Sequence, residues 1–198
     1  VIGIACEDGI IIACDSQVEF HRGAPVKRLN ANKIYKLNGN VAIAGAGMIA
    51  FIEKAVDGIR TQYNELKKKG STSIATLIDG TQEIGGAEQI MATIYKKYDI
   101  ERVKFLYGSK EAQEIVDVIL MLAGVEKLDN TFKRSIYLLH KEGFSEPDSD
   151  YATIGSGAAY AEYLLSKYFN PNITIDVGKK LAIYVIKEVE KMDPNVGG

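Results

Sequence analysis

The sequence predicts an α+β fold in which helices cover mostly antiparallel sheets. Two pairs of short apolar runs near the start flank an Asp-Gly and an Asn-Gly turn, which is a pattern typical of β-hairpins. Segments with apolar residues at helical spacing follow each group of strands. The order of strands, helices, strands and helices is typical of an α+β domain, because a parallel sheet would require strict alternation of the two.

The first hairpin joins Val1–Cys6 to Ile10–Cys14, and Asp15 follows its second run directly. After a polar stretch, Lys33 stands in front of the next apolar run. The sequence therefore places an acid and a lysine next to the ends of neighbouring strands. Such a pair can support catalysis near the start of the chain, and it can equally be a plain ion pair between strand ends.

The second hairpin joins Ile34–Leu37 to Val41–Ala44, and Gly45 and Gly47 follow within a run of small residues. Small residues permit a tight turn from strand to helix and also a close approach of the backbone to another group. A backbone N–H at such a turn can stabilise a developing oxyanion. The residues alone favour the plain turn.

The remaining elements follow from periodicity and from Gly and Pro positions. Helices are predicted at Met48–Lys69, Ala87–Tyr98, Ala158–Tyr168 and from Thr174 or Asp176 to Asp193. Strands are predicted at Val103–Tyr107, Val116–Ala123, Ser135–His140 and Tyr151–Ile154, the last two within a β-meander, and a short helical turn is predicted from Ser109 to Ile115. The buried face of the first helix is predicted as Ile52, Val56, Ile59, Tyr63 and Leu66, and that of the last as Val177, Leu181, Val185, Val189 and Met192.

Composition excludes several classes of function. The 198 residues predict one domain over 1–198, with 46% apolar residues available for a core. A net charge of −2 with scattered lysines and arginines gives no basis for binding nucleic acid or an anionic membrane. Without a long apolar run or a leader-like segment, we expect a cytoplasmic protein.

Cysteines and histidines are few and carry no motif. Cys6 and Cys14 are predicted to be reduced, small, packed side chains, because no further cysteine or histidine lies near them in the sequence. His21 and His140 stand outside any pattern that supports a Ser-His-Asp or zinc enzyme. We therefore expect no metal and no cofactor, and catalysis by lysine, aspartate, serine or a chain terminus.

Five segments together resemble the proteasome β-type subunit family of the N-terminal nucleophile (Ntn) hydrolases. In chain order they are GIACEDGIIIACDS, NKIYKL, VAIAGAG, YATIGSGAAYAEYLL and EKMD with a following GG. The resemblance covers Val1–Lys69 and Val116–Gly198, whereas Ser71–Ile115 diverges and is longer than the second helix of the family. It implies a four-layer αββα sandwich, Ntn hydrolase-like, with two antiparallel sheets flanked by helices.

The resemblance also implies a function. The family hydrolyses peptide bonds with a threonine at the mature N-terminus, needs no cofactor, and acts on peptides or unfolded proteins. It implies assembly into a homo-oligomeric ring, with related α-type subunits as further partners. Neither nucleic acid nor a membrane is expected as a partner.

Five residues match catalytic positions of the family. Lys33 matches the lysine beside the nucleophile, Asp15 the acid that orients it, and Gly45 the oxyanion donor. Ser156 and Asp193 match the pair that holds the terminal amine. Ser156 could instead be only a helix N-cap, and Asp193 only a hydrogen-bonding residue at a helix end.

The sequence departs from the family at two site positions. Alignment on Gly3 and Asp15 places Val1 about two residues after the nucleophile, so we expect the threonine to precede Val1. Val196 stands where the family usually has a serine. Two alternatives therefore remain, a non-catalytic ring subunit of the same fold and an Ntn amidase or ligase-like enzyme that acts on small amides.

Overall fold

The structure, a computed structural model, describes residues 1–17, 32–71, 73–97, 118–128, 131–141 and 143–198. They contain two antiparallel sheets, one of three strands in the order β2-β1-β8 and one of five strands in the order β3-β4-β5-β6-β7. The strands are β1 Ile2–Cys6, β2 Gly9–Ala13, β3 Ile34–Lys36, β4 Val41–Ala46, β5 Ile119–Leu128, β6 Thr131–His140, β7 Gly143–Ser145 and β8 Tyr151–Thr153. The helices are α1 Ile49–Lys68, α2 Ile74–Asp79, α3 Ala87–Lys97, α4 Ala158–Tyr168 and α5 Ile175–Met192.

Three separate apolar clusters define the layers of the fold. One packs α1, α2 and α3 against the five-stranded sheet, with Ile59 and Leu122 at its centre. Another packs α4 and α5 against the three-stranded sheet around Ile4 and Val185. The third lies between the two sheets and includes Met121. The predicted four-layer αββα sandwich with two antiparallel sheets is therefore confirmed.

The first hairpin also fixes the last helix. In the register of β1 and β2, Cys6 lies opposite Gly9, so Glu7 and Asp8 form the turn. The Asp8 Oδ1 atom accepts a hydrogen bond of 2.7 Å from the Ile175 N–H at the first residue of α5. A side chain from a distant turn therefore stabilises the N-terminus of this helix, whose own N-cap residue makes no side-chain cap.

The predicted buried face of α1 is confirmed, but that of α5 is partly wrong. Val177 is 49% exposed and Met192 is 66% exposed. The buried residues of α5 are Gly178, Ala182, Val185 and Val189. A Cβ atom at Gly178 would lie 2.7 Å from the Cys6 Sγ atom, so α5 approaches the sheet through small residues. Hydrophobic periodicity alone does not reveal a contact of this kind.

The divergent segment contains one helix that periodicity does not predict. The Ser73 side chain caps α2 by accepting a 3.0 Å hydrogen bond from the Thr76 N–H. Glu126 of β5 accepts a hydrogen bond of 2.6 Å from the Ile74 N–H. The predicted strand Val103–Tyr107 and the predicted turn Ser109–Ile115 lie outside the described residues.

The later strands differ from the predicted meander in two respects. β5, β6 and β7 follow one another in a single sheet, although the sequence predicts no strand at Gly143–Ser145. β8 instead pairs with β1 in the other sheet. The Ile154 N–H extends that pairing with a 3.0 Å hydrogen bond to the Val1 carbonyl. Within the part of the chain that the structure describes, no helix is long and apolar enough to cross a membrane.

Candidate active site

An ion pair between Asp15 and Lys33 joins the two sheets. Asp15 follows β2 of the three-stranded sheet, and Lys33 precedes β3 of the five-stranded sheet. The Lys33 Nζ atom lies 2.8 Å from Oδ1 and 2.9 Å from Oδ2 of Asp15. The Asp15 side chain is 8% exposed and the Lys33 side chain 19%. Because both oxygens contact one ammonium group and little water reaches them, the pair has a defined geometry.

Two backbone donors hold the Asp15 carboxylate in addition to Lys33. The Gln17 N–H donates to Oδ2 at 3.1 Å, and the Gly197 N–H donates to the same atom at 3.3 Å. Gly197 belongs to the turn that follows α5. The carboxylate therefore connects the end of β2, the start of β3 and the end of α5.

Gly45 lies in β4 and contacts the backbone of Lys33. Its N–H donates a hydrogen bond of 3.3 Å to the Lys33 carbonyl. A Cβ atom at Gly45 would lie 2.6 Å from Cγ2 of Ile52 in α1. The packing of α1 therefore requires a small residue here, and the role of Gly45 as an oxyanion donor stays a prediction.

Ser156 and Asp193 come from different helix ends, and Asp193 contacts Gly157, the residue after Ser156. Gly157 is the N-cap of α4, and no side chain caps this helix, so the N-cap alternative for Ser156 is wrong. Asp193 is buried, and its Oδ1 atom accepts a 2.9 Å hydrogen bond from the Asn195 N–H. Its Oδ2 atom lies 3.6 Å from the position that a Cβ atom would take at Gly157. Asp193 thus stabilises the helix end and also faces the Ser156–Gly157 turn.

The start of β1 lies between these two groups of residues. The Val1 nitrogen donates a 2.9 Å hydrogen bond to the Ile154 carbonyl, in the chain segment that leads to Ser156. On the other side, Ile2 lies opposite Ala13, so extension of the β1–β2 register by one pair sets Val1 opposite Cys14, the residue before Asp15. The charges of Asp15 and Lys33 act on the Val1 amino group. That Gly45, Ser156 and Asp193 join them in one catalytic site stays a prediction.

Cys14 is a half-buried free thiol next to the ion pair. Burial raises the pKa of the Cys14 thiol, although the nearby Lys33 charge acts in the opposite direction. We infer that the thiol stays protonated at neutral pH and does not compete as a nucleophile. The described residues contain no group of three or more His, Cys, Asp or Glu side chains that could hold a metal ion.

Two residues that contact Asp15 are missing from the sequence-based prediction. Gln17 carries no motif of its own, and the Gly-Gly pair that contains Gly197 gives no sign that its backbone N–H contacts Asp15. The closeness of Gln17 to Asp15 in the chain was the one available signal. The Gly197 contact spans 182 positions and depends on the complete fold.

Two facing antiparallel sheets with helices on both outer sides define an α+β sandwich of the Ntn hydrolase type. A model of the family described as "Proteasome subunit" matches residues 1–108 and 99–197. The chain therefore belongs to the proteasome subunit family, and the β-type resemblance read from the sequence is confirmed.

Similar proteins come from several archaea. Proteasome subunit beta of Methanosphaera stadtmanae is 23% identical over 192 residues, which cover 97% of this chain and 78% of that protein. Proteasome subunit beta 1 of Thermococcus kodakarensis is 24% identical over 202 residues, covering 100% and 83%. Proteasome subunit beta 2 of Caldivirga maquilingensis is 22% identical over 196 residues, covering 99% and 84%.

Proposed function

We propose that this chain is a catalytic β-type subunit of a proteasome, a threonine-type peptidase that acts on peptides or unfolded proteins. The observation that carries the proposal is the Asp15–Lys33 ion pair at the start of β1. A plain ion pair between strand ends would need no catalytic role, but the family resemblance assigns Lys33 and Asp15 to positions beside the terminal nucleophile. Family membership and the β-type relatives support the same conclusion.

The β1 register supports a nucleophile in front of Val1. If the register continued, the residue before Val1 would lie opposite Asp15. The residue before that one would lie opposite Ser16, which follows β2, and, by extension of the Val1–Ile154 pairing, opposite Ser156. Since side chains alternate along a strand, it would point to the same side as Val1, into the space between the sheets. This is the position about two residues before Val1 at which the sequence predicts threonine.

Each neighbouring group has a chemical task in this scheme. The threonine oxygen attacks the peptide carbonyl carbon, and its proton passes to the α-amine or to a neutral Lys33. The leaving amine takes that proton as the C–N bond breaks, and water then hydrolyses the ester. As an ammonium ion, Lys33 lowers the pKa of the hydroxyl, and Asp15 keeps Lys33 in place. Ser156 and Asp193 hold the terminal amine.

Oxyanion stabilisation by Gly45 requires a change of partner. Its N–H now donates to the Lys33 carbonyl at 3.3 Å, which is a long hydrogen bond. We propose that the N–H turns toward the substrate oxygen when a peptide is bound. After this change of partner, the N–H donates to the substrate oxygen as negative charge develops on it.

A non-catalytic ring subunit is the second candidate function. Val196 favours it, because the family usually has a serine hydroxyl at this position near the terminal amine. In either case we propose assembly into a homo-oligomeric ring that also binds α-type subunits. Native mass spectrometry of the protein alone and with an α-type subunit measures this assembly directly. A protein that stays monomeric in both samples would contradict it.

Hydrolysis assays separate the proposed function from the alternatives. The native assembly should release the fluorophore from short fluorogenic peptides, and a peptide epoxyketone or boronate should abolish that activity. A non-catalytic subunit would leave the peptides intact and form no inhibitor adduct. An Ntn amidase would instead cleave small acyl amides faster than peptides. Either result would contradict the proposal.

A further inference from the structure

Gln17 is a buried polar residue that the proposed reaction does not use. It is 3% exposed and follows Asp15 by two positions. Its Nε2 atom donates a 2.8 Å hydrogen bond to the Pro194 carbonyl, across 177 positions of the chain. One side chain thus joins the end of β2 to the turn that follows α5.

The contacts of the turn fix the orientation of the Gln17 amide. A carbonyl only accepts hydrogen bonds, so Nε2 has to face Pro194 and Oε1 has to face away from it. Oε1 has no hydrogen-bond partner among the described residues. It lies 3.0 Å from the position that a Cβ atom would take at Gly197, whose φ of +154° is unfavourable for a residue with a side chain. The amide therefore packs directly against Gly197.

This packing has a consequence for Asp15. The Gly197 N–H that donates to Asp15 Oδ2 belongs to the turn that Gln17 holds. The Gln17 backbone N–H donates to the same oxygen. Substitution of the side chain would leave that backbone contact in place and would release only the turn. The two contributions of Gln17 can therefore be separated by experiment.

We propose that the Gln17 side chain is a positioning residue for the Asp15–Lys33 pair. Its amide holds the turn after α5 against the end of β2, and the turn then delivers the Gly197 N–H to the carboxylate that orients Lys33. The importance of this arrangement for peptide hydrolysis rests on the proposed function. The structural connection itself does not, so it can be tested without any activity.

The test compares two variants with one matched control. Gln17→Met keeps the length of the side chain and removes its donor, whereas Gln17→Asn keeps an amide that is one methylene too short to reach Pro194. Gln62→Met makes the same chemical change in α1, on the opposite outer layer, where the Gln62 Oε1 atom is also buried without a partner among the described residues. Circular dichroism verifies that each assembled variant is folded. If Gln17→Met does not fold, Gln17→Asn alone is compared with the control.

Two readouts follow the connection at its two ends. Hydrogen exchange measures the backbone amides of 193–198, which should exchange roughly fivefold faster in both Gln17 variants, as expected for the loss of one net hydrogen bond. Competitive acetylation measures the reactivity of Lys33 Nζ relative to that of the exposed Lys179 Nζ in the same sample. This ratio should rise severalfold in the Gln17 variants, and both readouts should stay unchanged in Gln62→Met.

Each outcome decides the proposal. Unchanged exchange in 193–198 would overturn it, because Gln17 would then not hold the turn. Faster exchange with unchanged Lys33 acetylation would overturn it too, because the turn would then not affect the ion pair. In an active assembly the Gln17 variants should lower kcat while KM stays constant. A wild-type protein without peptidase activity would contradict the proposed function and would leave the two structural readouts valid.

Discussion

The Lys33 ammonium group contacts both carboxylate oxygens of Asp15, at 2.8 Å and 2.9 Å, although the residues are 18 positions apart. Asp15 follows a strand of one sheet and Lys33 precedes a strand of the other, so the contact forms only when the two sheets pack face to face. Among the described residues, the other ion pairs have more exposed partners. The Asp15–Lys33 contact therefore depends on the packing of the two sheets and also supplies the lysine that the proposed chemistry uses.

Lys33→Ala should abolish peptide hydrolysis and leave the assembly folded. Removal of a group that transfers or polarises a proton lowers kcat by about 10²–10⁴-fold. Lys33 is absent from all three apolar clusters, so the core should stay intact. Initial rates with a fluorogenic peptide measure the effect. Lys69→Ala is the matched control, because Lys69 also pairs with a carboxylate, Glu83, but on the exposed surface. Wild-type kcat in Lys33→Ala would disprove the assigned role.

Gly45→Ala should be destabilising because of packing, and a second substitution should compensate for it. The new Cβ atom would lie 2.6 Å from Cγ2 of Ile52. Overpacking of this kind costs about 1–3 kcal/mol. In Gly45→Ala combined with Ile52→Ala, the new methyl group enters the space that the isoleucine leaves. The loss of unfolding free energy in the double variant should therefore be smaller, by at least about 1 kcal/mol, than the sum of the losses in the two single variants.

Urea unfolding of the four proteins in this cycle measures the coupling. Additive losses would show that Gly45 is required for a reason other than Ile52. Activity should recover together with stability in the double variant, because the alanine substitution leaves the backbone N–H in place. A stable double variant without activity would contradict this expectation.

Local patterns predict most of the fold because they arise from local chemistry. The buried face of α1 consists of large apolar residues at helical spacing, and all of them are buried as predicted. Both hairpins form where the two turn sequences predict them, but their turns differ from the expected Asp-Gly and Asn-Gly pairs. Glu7 and Asp8 form the first turn, with Gly9 already paired opposite Cys6, and neither Gly9 nor Gly39 has a positive φ. The five segments that resemble the family then supply the four layers, which no local pattern contains.

Contacts between distant residues explain the features that the sequence does not predict. α5 packs through Gly178 and Ala182, whose small side chains give no hydrophobic signal, so its predicted face includes the exposed Val177 and Met192. α2 has only 6 residues and depends on Glu126 from β5 for one of its first N–H groups. In the site, Asp15 and Lys33 were predictable as strand-end charges, whereas the Gly197 donor was not.

Gly86→Ala should strongly destabilise the connection between α2 and α3. A Cβ atom there would lie 1.8 Å from the Ile78 carbonyl oxygen and 2.5 Å from the Gly80 nitrogen, and backbone atoms cannot give way as a side chain can. We expect a loss of about 3 kcal/mol in the free energy of unfolding, measured by urea denaturation. Gly39→Ala is the control, since nothing lies within 4 Å of its Cβ position. Equal losses in both variants would contradict this account.

Cys14 should react slowly with iodoacetamide at neutral pH. Burial raises the pKa of its thiol, so the reactive thiolate is scarcer than in an unfolded chain at the same pH. As the pH is raised, the alkylation rate of Cys14 should therefore level off at a higher pH than in the urea-unfolded protein. Peptide mapping by mass spectrometry separates Cys14 from the buried Cys6. A neutral-pH rate equal to that of the unfolded protein would show that Cys14 is accessible and ionised.

The identity of the nucleophile is the central claim, and one covalent-labelling experiment tests it most directly. The native assembly is incubated with a peptide epoxyketone, and the mature subunit is then analysed by intact mass and N-terminal peptide mapping. The proposal predicts one inhibitor molecule per subunit, bound to a terminal threonine about two residues before Val1. A mature terminus without threonine, serine or cysteine, or an unmodified subunit that still hydrolyses peptides, would contradict it.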